Sequence, residues 1–132
     1  MFINFDLIFI GLITYFIGSI PFGLLVSKFA KQEDPRMVGS KNIGATNLLR
    51  IGGWKLGFLT LILDVTKGFT PIYLINTYNK EEFLGIAILS IILGHLYPIW
   101  LRFRGGKGIA ALIGILMAYN LNLFFVFIFS WL

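Results

Sequence analysis

Four stretches of this chain, over about residues 5–25, 54–78, 83–101 and 109–132, are almost wholly apolar. Each is near the ~20 residues that carry a helix across ~30 Å of hydrocarbon. The expected fold class is therefore an all-α integral membrane protein with one transmembrane domain, residues 1–132, built as a bundle of about four transmembrane helices. The composition agrees, with 58% hydrophobic and 13% charged residues, and it excludes an ordinary soluble domain. Asp6 stands where a signal peptide would carry Lys or Arg, so the first stretch is expected to be retained. The last stretch runs to Ser130-Trp131-Leu132 without a polar tail, and a shortened chain is expected there.

Charge placement orients the bundle. Six basic residues (Lys28, Lys31, Arg36, Lys41, Arg50, Lys55) follow the first stretch and three (Arg102, Arg104, Lys107) follow the third. Only Lys80 and Lys67 lie elsewhere. Loops rich in Lys and Arg stay in the cytoplasm, which puts the N-terminus outside and both basic loops inside. The net charge of +5 is then accounted for by topology and anion binding, with no nucleic-acid partner.

Both basic loops carry glycines. The first contains Gly39-Ser40-Lys41-Asn42-Ile43-Gly44-Ala45-Thr46-Asn47 with Arg50, interrupted by a weakly helical stretch from Thr46 to Ile51. The second is Arg102-Phe103-Arg104-Gly105-Gly106-Lys107-Gly108. Glycines let consecutive backbone amides converge on an anion, so both loops are shaped for phosphate. In the second loop Lys107 adds a point charge, and the helix that follows can aim its N-terminus at the ligand. Arg102 and Arg104 are assigned mainly to topology.

Inside the second stretch Asp64 and Lys67 stand three apart, on one helical face, where they can neutralise each other; a lysine at that depth also points to function. Pro71 removes an N–H and predicts a kink or break nearby. Gly18-Ser19-Ile20-Pro21-Phe22-Gly23 predicts close helix packing near the end of the first stretch. The absence of cysteine excludes disulfides and thiolate chemistry, and six scattered carboxylates with one histidine offer no metal cluster. His95 admits two readings, a general base or a satisfied interfacial residue. The His-x-x-x-x-Asp pattern of soluble acyltransferases is absent, because Trp100 takes the fifth position.

Together the two loops, Asp64-Val65-Thr66-Lys67-Gly68 and Gly94-His95 resemble, in order and spacing, the bacterial acyl-phosphate:glycerol-3-phosphate acyltransferases of the PlsY family. The resemblance implies transfer of a fatty acyl group from acyl phosphate to glycerol 3-phosphate, giving lysophosphatidic acid and inorganic phosphate for phospholipid synthesis. It also implies a multi-pass protein of the bacterial inner membrane, among membrane lipids and without a cofactor. Ser40, Arg50, Lys67 and His95 become candidate catalytic residues. Asn42, Gly44, Asn47, Gly105, Gly106, Lys107 and Gly108 become candidate substrate-binding residues, Asn42 and Asn47 either donating to phosphate or holding the loop in a turn. The resemblance implies seven spans, of which this chain carries roughly the N-terminal two thirds. A third cytoplasmic motif with a functional His and Asn would lie beyond Leu132, on a missing C-terminal segment or partner chain. Lys41 departs locally, standing where many members have Gly. Two other classes fit the residues: a phosphate or organophosphate transporter, and a catalytically incomplete fragment or assembly partner.

Overall fold

The structure, a computed structural model, describes residues 5–131; the end of the last expected span at Leu132 and the residues before Phe5 lie outside it. Among the described residues every regular element is helical: α1 (Phe5–Gly18), α2 (Phe22–Phe29), α3 (Ala45–Thr77), α4 (Leu84–Leu96), α5 (Ile109–Tyr119) and α6 (Leu121–Trp131), with single 3₁₀ turns at Glu81–Phe83 and Ile99–Leu101. Three stretches are long and apolar enough to cross a membrane, Phe5–Phe29, Ala45–Thr77 and Glu81–Leu101, while Ile109–Tyr119 and Leu121–Ser130 are shorter apolar helices. Large apolar side chains such as Phe9, Phe58 and Leu89 are exposed along these stretches, as a lipid-facing surface requires.

Small residues set how closely the helices approach. A side chain at Gly18 would collide with the Ile91 backbone, and one at Gly94 with the Tyr15 carbonyl, so α1 and α4 meet backbone to backbone. The same holds for α3 and α5, where Gly68 faces the Ala111 carbonyl and Gly114 faces that of Val65. Ile72, Ile75, Ala87, Ile91, Ala111 and Ile115 form the buried core of this half of the bundle. The close packing expected at Gly18 is thus present, and the chain also breaks between α1 and α2 at Ser19–Pro21.

Three expectations change. Pro71 does not interrupt α3, which stays helical through it; inside hydrocarbon, losing one hydrogen bond costs less than opening the helix. The break lies at Gly53, with φ 79 and ψ 177, extended values on the positive side that favour glycine. There the helix folds back, for Leu49 lies so close to Gly57 that a side chain at 57 would strike its backbone. In a straight helix those two positions would be about 12 Å apart. Thr46 to Ile51 is therefore not an interruption of the loop but the start of α3, laid back along the long arm over 54–77. The continuous span expected over 109–132 is instead α5 and α6, separated at Asn120, whose backbone is extended and whose Oδ1 accepts from the amides of Asn122 (2.9 Å) and Leu123 (3.2 Å). An asparagine that caps a new helix competes with continuing the old one.

Candidate active site

The first glycine loop is held by one side chain. Asn47, in the first turn of α3 and 1% exposed, accepts from the Ser40 amide through Oδ1 (2.9 Å). Its Nδ2 donates to the carbonyls of Pro35, Asn42 (both 2.9 Å) and Val38 (3.1 Å). Asn42 Oδ1 accepts from the Gly44 amide at 2.9 Å, the side-chain turn typical of asparagine. Arg36 donates to both oxygens of Asp34 and holds that carboxyl below the usual carboxylate value. Lys41, where the resemblance expects Gly, has φ 56. A left-handed side-chain-bearing residue costs ~1–2 kcal/mol, of which the greater freedom of an unfolded glycine would take back ~0.5–1. Lys41→Gly is therefore expected to raise stability slightly, by about 0.5–1 kcal/mol, read as slower amide exchange in the loop over 38–44.

In the second loop the amide of Gly105 donates to the Leu96 carbonyl (2.9 Å) and that of Gly106 to the His95 carbonyl (3.1 Å). A side chain at Gly106 would collide with the His95 ring, so this glycine seats the histidine. Gly108, at φ 83, then turns the chain into α5.

The two loops line one pocket of about 330 Å³. The first turns of α3 (Gly44, Ala45, Thr46) and of α5 (Gly108, Ile109, Ala110) both border it. First-turn amides have no partner within their own helix and carry the positive end of its dipole. Arg50 and Lys107 add a positive charge from each side, Ser40 and Asn42 add polar groups, and Leu61 and Ile113 form an apolar wall. Arg102 and Arg104 are exposed and do not line it. Two helix N-termini, two cations and a greasy wall in one cavity suit a phosphate ester with an apolar tail.

Asp64 and His95 lie at its buried side, 2% and 5% exposed. Lys67 Nζ stands 2.8 Å from Asp64 Oδ1 and donates to the Ile20 carbonyl at 2.8 Å, at the break between α1 and α2. It also lies 5.6 Å from the centre of the Phe22 ring. His95 Nδ1 is 3.9 Å from Asp64 Oδ1. Among the described residues no group of three His, Asp or Glu side chains is placed to share a metal ion.

Of the sequence candidates, the pocket brings together Ser40, Asn42, Gly44, Asn47, Arg50, His95, Lys107 and Gly108. Gly105, Gly106 and Lys67 stand behind it: the glycine amides are spent on backbone carbonyls, and the lysine braces α3 against the α1–α2 break. Asn47 borders the pocket with its hydrogen-bonding capacity used on the loop. Sequence reasoning missed the α3 N-terminus and Asp64. The Gly52-Gly53 pair inside a helical pattern was the available sign of the first. Asp64 was read only as the partner of Lys67.

The model of the glycerol-3-phosphate acyltransferase family matches residues 8–132. The chain is 48% identical over 122 residues to a glycerol-3-phosphate acyltransferase of Pelagibacter ubique (strain HTCC1062), covering 92% of this chain and 63% of the relative. It is 44% identical over 129 residues to that of Erythrobacter litoralis (strain HTCC2594), covering 98% of this chain and 65% of the relative. It thus spans somewhat less than two thirds of their length. Its fold is similar to the crystal structure of PlsY (YgiH), an integral membrane glycerol 3-phosphate acyltransferase, in the glycerol 3-phosphate form, with TM-score 0.81 and 35% identity over 96% of this chain and 66% of that one. The lysophosphatidic acid form matches with TM-score 0.82, at 34% identity over 96% and 63%.

Proposed function

Because this multi-pass membrane chain belongs to the glycerol-3-phosphate acyltransferase family, we propose that its pocket transfers a fatty acyl group from acyl phosphate to glycerol 3-phosphate. The observation that carries this is the convergence of two helix N-termini with Arg50 and Lys107 on one cavity that also has an apolar wall. A hydroxyl oxygen of glycerol 3-phosphate bonds the acyl carbonyl carbon. The carbon–oxygen bond to phosphate breaks, its electron pair stays on the phosphate oxygen, and the hydroxyl proton ends on the departing inorganic phosphate. The products are lysophosphatidic acid and phosphate.

Arg50, with the Ser40 hydroxyl and the α3 N-terminus, holds the phosphate of the acyl donor and stabilises the charge that grows on it. Lys107 and the α5 N-terminus hold the phosphate of the acceptor. Leu61 and Ile113 take the first carbons of the acyl chain. Positive loops stay in the cytoplasm, so the pocket opens inward from a bacterial inner membrane and the N-terminus lies outside.

The test is purified chain in lipid nanodiscs with acyl phosphate and labelled glycerol 3-phosphate. Lysophosphatidic acid and inorganic phosphate are expected in equal amounts. Absence of transfer would overturn the reading, and glycerol 3-phosphate uptake into vesicles without chemistry would replace it with transport.

A further inference from the structure

A second cavity lies on the far side of α3 from the first, and the proposed reaction does not use it. Leu56, Leu59 and Leu63 of α3 form one wall. At ~100° per residue they stand on the face opposite Leu61, which lines the first pocket. The other wall is α2, through Phe22, Leu25, Val26, Phe29 and Ala30. These fall at i, i+3, i+4, i+7 and i+8, the apolar stripe of a helix that buries one face. The packed face of α2 is a different one: Ser27 Oγ donates to the Glu33 carbonyl (2.7 Å), and a side chain at Gly23 would strike the Ile43 carbonyl. The apolar stripe instead meets a groove of about 350 Å³, lined by apolar residues alone. Leu56 to Leu63 covers ~10 Å of helix, so the groove is ~6–7 Å across; that admits a hydrocarbon chain, whereas a helix with its side chains needs ~10–12 Å.

One end of this groove is basic. Phe29, Ala30 and Leu56 mark that end, and their chain neighbours Lys28, Lys31 and Lys55 are all exposed. Among the described residues none of these lysines is in an ion pair. Asp34 is held by Arg36, which leaves Glu33 as the one other carboxylate of this segment against three cations. Trp54, 68% exposed and with its ring centre 6.0 Å from Lys55 Nζ, suits the level of lipid headgroups. At the opposite end the Phe22 ring closes the groove, 5.6 Å from Lys67 Nζ. We propose that this groove holds one acyl chain of an anionic glycerophospholipid, drawn from the leaflet that borders the two glycine-bearing loops, with the lipid phosphate among Lys28, Lys31 and Lys55. Burial of methylenes against the two apolar stripes holds the chain, and the lysines select the charged headgroup. The lipid is a bound neighbour and not a substrate, because α3 separates it from the first pocket.

The test is native mass spectrometry of the chain released from nanodiscs that contain equal parts of phosphatidylglycerol and phosphatidylcholine with the same acyl chains. One retained phosphatidylglycerol per chain is expected, preferred over phosphatidylcholine by about tenfold or more. Changing Lys28, Lys31 and Lys55 together to Gln alters only exposed side chains and should bring that preference to within about twofold. Leu59→Trp fills the groove and should abolish retention of either lipid, with helix content by circular dichroism unchanged. No retained lipid, or retention without headgroup preference in the unaltered chain, would overturn the proposal. So would a preference that survives the triple change, retention that survives Leu59→Trp, or a lipid-free dimer cross-linked through positions 29 and 59.

Discussion

Arg50→Ala is expected to lower kcat/KM for acyl transfer by about 10²–10³-fold, or ~3–4 kcal/mol, the cost of losing one aligned donor to a developing anion. Lys107→Ala should lower it by about 100-fold, because the compact ammonium it loses binds phosphate by charge. Arg102→Ala should change it by no more than about twofold, as expected of an exposed surface charge. The contrast follows from placement. Arg50 reaches the pocket because α3 doubles back at Gly53, which lays the turn after Ala45 alongside Asp64 and Leu61. Lys107 reaches it from the loop that Gly108 closes. Arg102, the residue that follows the turn over Ile99–Leu101, is exposed and does not line the cavity. Steady-state rates in nanodiscs, with circular dichroism to confirm helix content, check all three.

The second large effect belongs to a residue that need not touch substrate. Asn47→Leu keeps the side-chain volume but strands the Ser40 amide and the carbonyls of Pro35 and Asn42, while that of Val38 keeps the Lys41 amide. At ~1–3 kcal/mol for each group left unpaired, the loop over 35–44 loses about 3 kcal/mol or more and opens to water instead. The expected result is fast amide exchange confined to that loop, with the transmembrane helices still protected and acyl transfer reduced to a few per cent or less by ~3 kcal/mol of lost order. Asn47→Asp is expected to fail as well, since a carboxylate keeps the Ser40 bond but cannot donate to Pro35, Val38 or Asn42. Exchange mass spectrometry distinguishes this from direct substrate contact, which would leave the loop protected.

Much of this architecture was legible in residue types alone. Three of the apolar stretches are long and apolar enough to cross a membrane, the first of them broken at Ser19–Pro21, and the two glycine-bearing loops meet in one pocket. The ion pair of Asp64 with Lys67 followed from a spacing of three on a helix. What was not legible depends on which partners the polar groups and glycine amides find once the chain is folded. Asn47 looks equally suited to phosphate or to a turn until four backbone partners are seen around it. Gly105 and Gly106 look like phosphate binders until their amides are traced to the end of α4. Asn120 is a polar residue in an apolar run, and only its geometry reveals a helix cap. The proximity of Asp64 to His95 has no signature in sequence, because α3 and α4 meet only through the packing of the bundle.

The pocket as a phosphate site is tested most directly by calorimetric binding of glycerol 3-phosphate to the nanodisc-bound chain. Saturable binding is predicted, weakened by about tenfold or more, ~1.4 kcal/mol, in Lys107→Ala and unchanged within about twofold in Arg102→Ala. Equal dissociation constants for those two variants, or no saturable binding by the unaltered chain, would contradict it.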